Sequence, residues 1–179
     1  MTDRRGALAM IVGFAMTPRL ARAAVEPLKM AFVDTGNTGR SLMAETLTRA
    51  LVKRRGLHVA VISRGLDVDP FDETPEANAV ILMSGRGFDV SAHRARSLSS
   101  TDTKHADLIL TMTAKHAETV IAAYPQVAAR TSTLAQFATD AAADIPDAWG
   151  KPMADYRAVL AQLDIYLPLA LSRAVANRP

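Results

Sequence analysis

A parallel α/β domain, with helices on both faces of a four-stranded sheet in a three-layer α/β/α sandwich, is the fold class the sequence predicts. Apolar, partly β-branched runs alternate with helix-period patterns along the chain. A polar, glycine-containing loop joins the first strand pattern to the first helix pattern. The chain has 179 residues, 49% of them hydrophobic, which suits one domain with a full core.

Leu28–Val33 is a short apolar run before a glycine loop, hence a buried strand. Ser41 is the expected cap of the next helix, whose Met43, Leu47, Ala50 and Leu51 recur at helical spacing. Gly56 ends that helix behind Lys53, Arg54 and Arg55. Leu57–Ser63 is the second strand. Pro75 starts a second helix with Ala79, Leu82 and Met83 on one face, closed by Gly85 and Gly87. Ala106–Met112 is the clearest strand, and Thr113–Tyr124 is a helix that Pro125 stops. Arg130–Leu134 is a short strand, and 140–152 is a loop rich in turn residues. The last helix runs from about Met153 towards Val175, with Tyr156, Val159, Leu160 and Leu163 on one side and Leu169 and its neighbours expected in the core. Pro168 is a kink position within it.

The net charge of +3 does not point to nucleic acid. Residues 1–23 hold Arg4, Arg5, Arg19 and Arg22 against Asp3, so residues 24–179 carry 17 basic and 17 acidic side chains and are neutral. Residues 1–23 read as an export signal. Arg4-Arg5 precedes an apolar stretch, Ala7–Met16, too short to span a bilayer, and Ala21-Arg22-Ala23 fits a cleavage site. The arginine pair resembles a twin-arginine signal, although Asp3 and Ala7 depart from it. The expected mature chain, residues 24–179, is one periplasmic or exported domain with no membrane span; a cytoplasmic location is the alternative. The chain has no cysteine, which excludes disulfides, a thiolate metal site and a thiol nucleophile.

The chemistry centres on the stretch from Phe32 to Glu45, FVDTGNTGRSLMAE. Gly36 and Gly39 allow backbone angles other residues avoid, and Asn37 tolerates the left-handed region. A loop so curled points its N–H groups at one centre, and the following helix adds its positive end. Arg40 supplies a planar fork for a phosphate or carboxylate. Read from composition alone, an ordinary strand-to-helix turn with a solvated arginine competes equally with a phosphate site.

That stretch resembles the signature loop of the low-molecular-weight protein tyrosine phosphatases, written V-C-x-G-N-[ST]-C-R-S-P-x-A-E. Gly36, Asn37, Thr38, Arg40, Ser41, Ala44 and Glu45 match. The segments Gly87–Leu98, His105–His116 and Asp144–Asp164 are similar to further ordered motifs of the family, so the likeness runs from about Leu28 to Val175. It implies the same four-stranded parallel sheet. It also implies roles: phosphate bound by Thr35, Gly36, Asn37, Thr38, Gly39, Arg40 and Ser41, attack from position 34, proton donation by Asp147, and Trp149 at the pocket mouth. In the family the serine at position 41 bonds to the nucleophile. No metal or cofactor is implied.

The departures fall at the centre of that chemistry. Asp34 stands for the nucleophilic Cys, Gly39 for the second Cys, Leu42 for the Pro after Ser, and Ala148 for the Pro after the acid. The cysteine relay of the arsenate reductases that share this fold is excluded. The loop environment that activates a thiolate should keep Asp34 ionised. A carboxylate beside a bound phosphate is repelled by about 4 kcal/mol at about 4 Å and an effective dielectric of about 20. The expectation is therefore a catalytically impaired pseudophosphatase in which Asp34 fills its own anion site, accepting N–H bonds and pairing with Arg40. The alternative is an active phosphomonoester hydrolase with Asp34 as nucleophile and Asp147 as general acid. Aspartate nucleophiles elsewhere use Mg²⁺ held by further carboxylates, and no matching cluster is visible in sequence near position 34. A phosphorylated or anionic protein or small molecule is the expected ligand, and a monomer is expected. His93 is expected to be a structural hydrogen-bonder, and Arg94 and Arg96 solvated or loop-fixing.

Overall fold

The computed structural model describes residues 26–178. The expected export segment, residues 1–23, lies outside the described residues. Four parallel strands, β1 (Leu28–Asp34), β2 (Val59–Gly65), β3 (Leu108–Thr111) and β4 (Thr131–Thr133), form one sheet in the order β2-β1-β3-β4. Around it lie α1 (Arg40–Arg55), α2 (Ala77–Ser84), α3 (Ser100–His105), α4 (Ala114–Ala123), α5 (Leu134–Thr139) and α6 (Met153–Ala176). The strand order reverses between β2 and β3 beside β1, so the crevice beyond the carboxyl end of β1 is the ligand position of an open α/β sheet.

Alternate residues of β1 supply the two cores. Leu28, Met30 and Phe32 face a large cluster with Leu47 and Leu51 of α1 and Leu163, Leu167 and Leu171 of α6. Ala31 and Val33 face a smaller cluster with Ile109, Val120 of α4 and Val127. Burial on both sides explains why β1 reads as a continuous apolar run rather than an alternating one. Fully burying a side chain such as Phe32 contributes about 1.5–3 kcal/mol.

Helix α1 ends as expected: Gly56 takes φ +61°, and its N–H bonds back to the carbonyls of Lys53 and Val52. Helix α4 starts at Thr113, whose hydroxyl accepts from the His116 N–H, and stops before Pro125. Helix α2 begins at Ala77 with Glu76 as its flanking residue, two residues beyond Pro75, and its Leu82 is only half-buried. Three elements escaped the sequence reading. Short α3 is fixed by a capping box between Ser99 and Asp102, a 3-10 turn fills Pro125–Arg130, and α5 follows β4 without a break.

Helix α6 is long and apolar enough, by length and composition, to cross a membrane. Here its stripe from Tyr156 to Ala174 packs into the large core. Pro168 lies within it. Leu169 corrects the sequence reading: it is 46% exposed, while Leu167, Ala170 and Leu171 beside it are buried.

Candidate functional site

The loop from Thr35 to Gly39 leaves the carboxyl end of β1 and enters α1 directly. It is clamped to the end of β2, where the Thr35 carbonyl accepts from the N–H groups of Leu66 and Asp67 at 2.8 and 2.9 Å. Gly65 pairs with Asp34 across β1 and β2. A Cβ at Gly65 would fall 2.7 Å from the Thr35 carbonyl oxygen, so only glycine permits this approach.

Asp34 is 2% exposed and faces into the loop. One carboxylate oxygen accepts from the Asn37 N–H at 2.7 Å, the other from the Ser41 N–H at 2.9 Å. The Ser41 N–H is one of the first-turn donors of α1, which have no partner within the helix. Asp34 therefore caps α1 from outside and meets its positive end. Ser41, the expected cap, makes no such bond: Gly39 is the flanking residue, with no side-chain cap. The hydroxyl of Ser41 instead accepts from the Asn37 side-chain amide at 2.9 Å.

Asn37 organises the loop. It is fully buried at φ +59°. Its amide nitrogen also donates to the Ser63 hydroxyl at 2.9 Å, and its amide oxygen accepts from the Arg96 N–H at 3.0 Å. The His93 ring lies 2.8 Å from the Asn37 carbonyl, and Arg96 fixes the loop through its backbone. Asn37 is the left-handed residue of the loop, not Gly36 or Gly39. At Gly39 the space of a side chain is filled instead: a Cβ there would fall 2.6 Å from a carboxylate oxygen of Glu76.

The pairing expected between Arg40 and Asp34 is not found. Arg40, 5% exposed, donates to the Ile145 carbonyl at 3.1 Å and forms an ion pair with Asp147 at 3.3 Å. Asp147 is half-exposed, and one of its oxygens accepts from the Trp149 N–H. Trp149 is 71% exposed at the edge of a cavity of about 850 Å³ that Asp34, Arg40 and Asp147 all line. Loop and acid segment thus converge although 105 residues separate Arg40 from Ile145.

Glu76 was not singled out in the sequence. One of its carboxylate oxygens accepts from the Thr38 hydroxyl at 2.9 Å, the other from the Tyr156 hydroxyl. Burial pushes its carboxyl above the ordinary range; the two hydrogen bonds oppose this, and the charges of Asp34 and Asp147 add to it. Burial and Glu76 together push the Tyr156 phenol up. His116 lies under the loop, its Nε2 3.0 Å from the Thr35 hydroxyl and its Nδ1 buried without a partner. Burial first, and the charge of Arg40 second, hold its pKa below the ordinary value.

Two opposed features define the chemistry of the site. The backbone N–H groups of Thr35, Gly36, Thr38, Gly39 and Arg40 have no acceptor among the described residues, so a curved set of donors remains at the helix start. Yet the cavity is lined by six carboxylates (Asp34, Asp67, Asp69, Asp72, Glu76 and Asp147) against two cations, Arg40 and Lys151. No group of three or more His, Asp or Glu among the described residues is arranged to hold a metal ion.

Comparison with known proteins shows the family and the fold. The family model described as low molecular weight phosphotyrosine protein phosphatase matches residues 29–175. A protein-arginine-phosphatase of Geobacillus stearothermophilus is 32% identical over 138 residues, 77% of this chain and 90% of that protein. The probable low molecular weight protein-tyrosine-phosphatase EpsP of Ralstonia solanacearum is 31% identical over 132 residues, 73% of this chain and 85% of that protein. Among solved structures, a YwlE arginine phosphatase mutant with a phosphorylated active-site serine superposes with a TM-score of 0.79. It is 27% identical, covering 84% of this chain and 97% of its own.

Proposed function

Since the chain belongs to the low-molecular-weight phosphotyrosine protein phosphatase family, matched over residues 29–175, we propose that it is a member without the family's turnover, its phosphate loop closed by its own carboxylate. The observation that carries this reading is the double hydrogen bond of Asp34. One oxygen is held by the Asn37 N–H of the loop and the other by the Ser41 N–H in the first turn of α1, at 2.7 and 2.9 Å. Charge-assisted bonds of this kind fix a carboxylate as an acceptor and leave it a weak nucleophile. Arg40 is engaged in parallel: its guanidinium pairs with Asp147, which in the hydrolytic reading must protonate a leaving group.

The site would then be a binding or interaction module with phosphatase ancestry. Within the stretch Thr35 to Ser41, the free N–H groups of Thr35, Gly36, Thr38, Gly39 and Arg40 supply the donors, with Arg40 the cation and Trp149 a recognition edge at the mouth. A phosphorylated ligand would have to displace Asp147 from Arg40 and tolerate Asp34. The twin-arginine-like pattern of residues 1–23 supports export of a single mature domain, residues 24–179. Fractionation followed by N-terminal sequencing tests that part.

A second reading has one observation in its favour: in the related arginine phosphatase mutant, a serine placed in the active site carries phosphate, so an oxygen there holds a phosphoryl group. In this reading a carboxylate oxygen of Asp34 attacks phosphorus and an acyl phosphate forms. The bond to the leaving oxygen breaks as Asp147 protonates it, and water then hydrolyses the acyl phosphate.

Turnover assays on an aryl phosphate and on phosphoarginine separate the two. The proposal expects no turnover by the wild type and measurable turnover by Asp34→Cys. Steady wild-type turnover abolished in Asp34→Asn would establish the second reading.

A further inference from the structure

We propose that Glu76 is a second determinant of what the loop accepts, a fixed carboxylate that weakens the binding of phosphate independently of Asp34. The inference rests on the reading that a carboxylate closes this loop, and extends it to a residue outside the loop.

Glu76 approaches the loop from the start of α2. Its backbone N–H donates to the Thr38 carbonyl at 3.1 Å, one oxygen accepts from the Thr38 hydroxyl at 2.9 Å, and the other accepts from Tyr156 of α6. The backbone bond ties the start of α2 to the loop, and the two side-chain bonds, one to the loop and one to α6, hold the carboxylate in place. Its carboxylate stands over Gly39: a Cβ there would meet all three atoms of the carboxyl group within 3.0 Å. Glycine at 39 and glutamate at 76 are therefore one arrangement, in which the carboxylate occupies the space of a side chain.

Three consequences follow for an anion at the free N–H groups. A negative charge sits on the side-chain side of Gly39, the residue whose N–H is one of the donors such an anion needs. The Thr38 hydroxyl is committed to Glu76 and is lost as a donor. Finally, the charges facing Glu76 do not offset it. Asp34 and Asp147 add negative charge, Tyr156 is neutral, and Arg40, the cation of the loop, is paired with Asp147. Removing Asp34 alone leaves this second charge in place.

Glu76→Gln keeps the size of the side chain and the contact with both hydroxyls while removing the charge: its amide oxygen accepts from one hydroxyl, and its amide N–H donates to the oxygen of the other. Calorimetric titration with inorganic phosphate compares wild type, Asp34→Ser, Glu76→Gln and the double variant, with thermal melting as the check on folding. Asp34→Ser is expected to bind more tightly than wild type. The double variant is expected to bind at least about tenfold more tightly than Asp34→Ser, by an advantage that grows with pH as the glutamate it replaces ionises. If the double variant matches Asp34→Ser across that range while Asp34→Ser exceeds wild type, Glu76 is only a structural tether and the proposal fails, leaving the Asp34 reading intact. If wild type already binds as tightly as Asp34→Ser, carboxylates in this loop are no obstacle and both fail. Glu76→Met, apolar and of similar length, replaces the amide variant if that one unfolds, with the same outcomes.

Discussion

Asn37→Ala should be among the most damaging single changes in the loop. Three side-chain hydrogen bonds would be lost, to Ser41, to Ser63 and from the Arg96 N–H, all between 2.9 and 3.0 Å. At about 1 kcal/mol each they sum to about 3 kcal/mol. Alanine at φ +59° adds about 1 kcal/mol, because asparagine tolerates the left-handed region better. The expected loss, about 4 kcal/mol, is a large part of a typical domain stability of about 5–15 kcal/mol. Urea unfolding followed by far-UV circular dichroism measures it, with an unchanged slope as the sign that two states persist. Asn37→Gly serves as the control. It loses the same three bonds but not the backbone comfort, so it should be about 1 kcal/mol more stable than Asn37→Ala. A loss below about 1 kcal/mol in the alanine variant, or a glycine variant no better than alanine, would refute the assignment of Asn37 as the organiser of the loop.

Two further substitutions probe the surroundings. Gly65→Ala drives a Cβ to 2.7 Å from the Thr35 carbonyl and 2.6 Å from Val68; it should cost about 2 kcal/mol and lower the melting temperature by about 4–8 °C, and a melting temperature within 1 °C of wild type, on that scale, would contradict the close approach. His116 is buried and its folded pKa lies below the unfolded value of 6.5, so the unfolded chain takes up this proton first as pH falls. Stability should therefore decline on acidification from 6.5 through the lower folded value, and His116→Gln should flatten that part of the profile; an unchanged profile would show that His116 is not the group responsible.

The fold was legible because its signals are local. Buried strands read as apolar runs, Gly56 and Pro125 punctuate helices, and strand–helix alternation gives a parallel sheet. Helices α3 and α5 were missed because six residues are too few to show a period. The loop was legible as a resemblance, but its bonds were not. Ser41 looked like a cap by residue type, yet the acceptor for the helix start comes from Asp34 seven residues earlier. Arg40 was expected on Asp34, within its own loop, and is found on Asp147, which only the tertiary fold delivers. Glu76 passed unnoticed as a residue at a helix start; the open signal was Gly39, whose missing side chain implied that something else fills the space. Tyr156 was read correctly as a core-facing residue, but periodicity says nothing about where its hydroxyl goes.

The central claim is that Asp34 is the resident anion of its own loop, and the most direct test watches the two N–H groups that hold it. In a nitrogen-15 NMR titration with inorganic phosphate near neutral pH, the Asn37 and Ser41 amide signals of the wild type should stay in place, because the Asp34 oxygens occupy them at 2.7 and 2.9 Å. In Asp34→Ala the same two signals should move on phosphate addition. Saturable shifts of both amides in the wild type at submillimolar phosphate, about 4 kcal/mol or more of binding free energy, would contradict the claim outright.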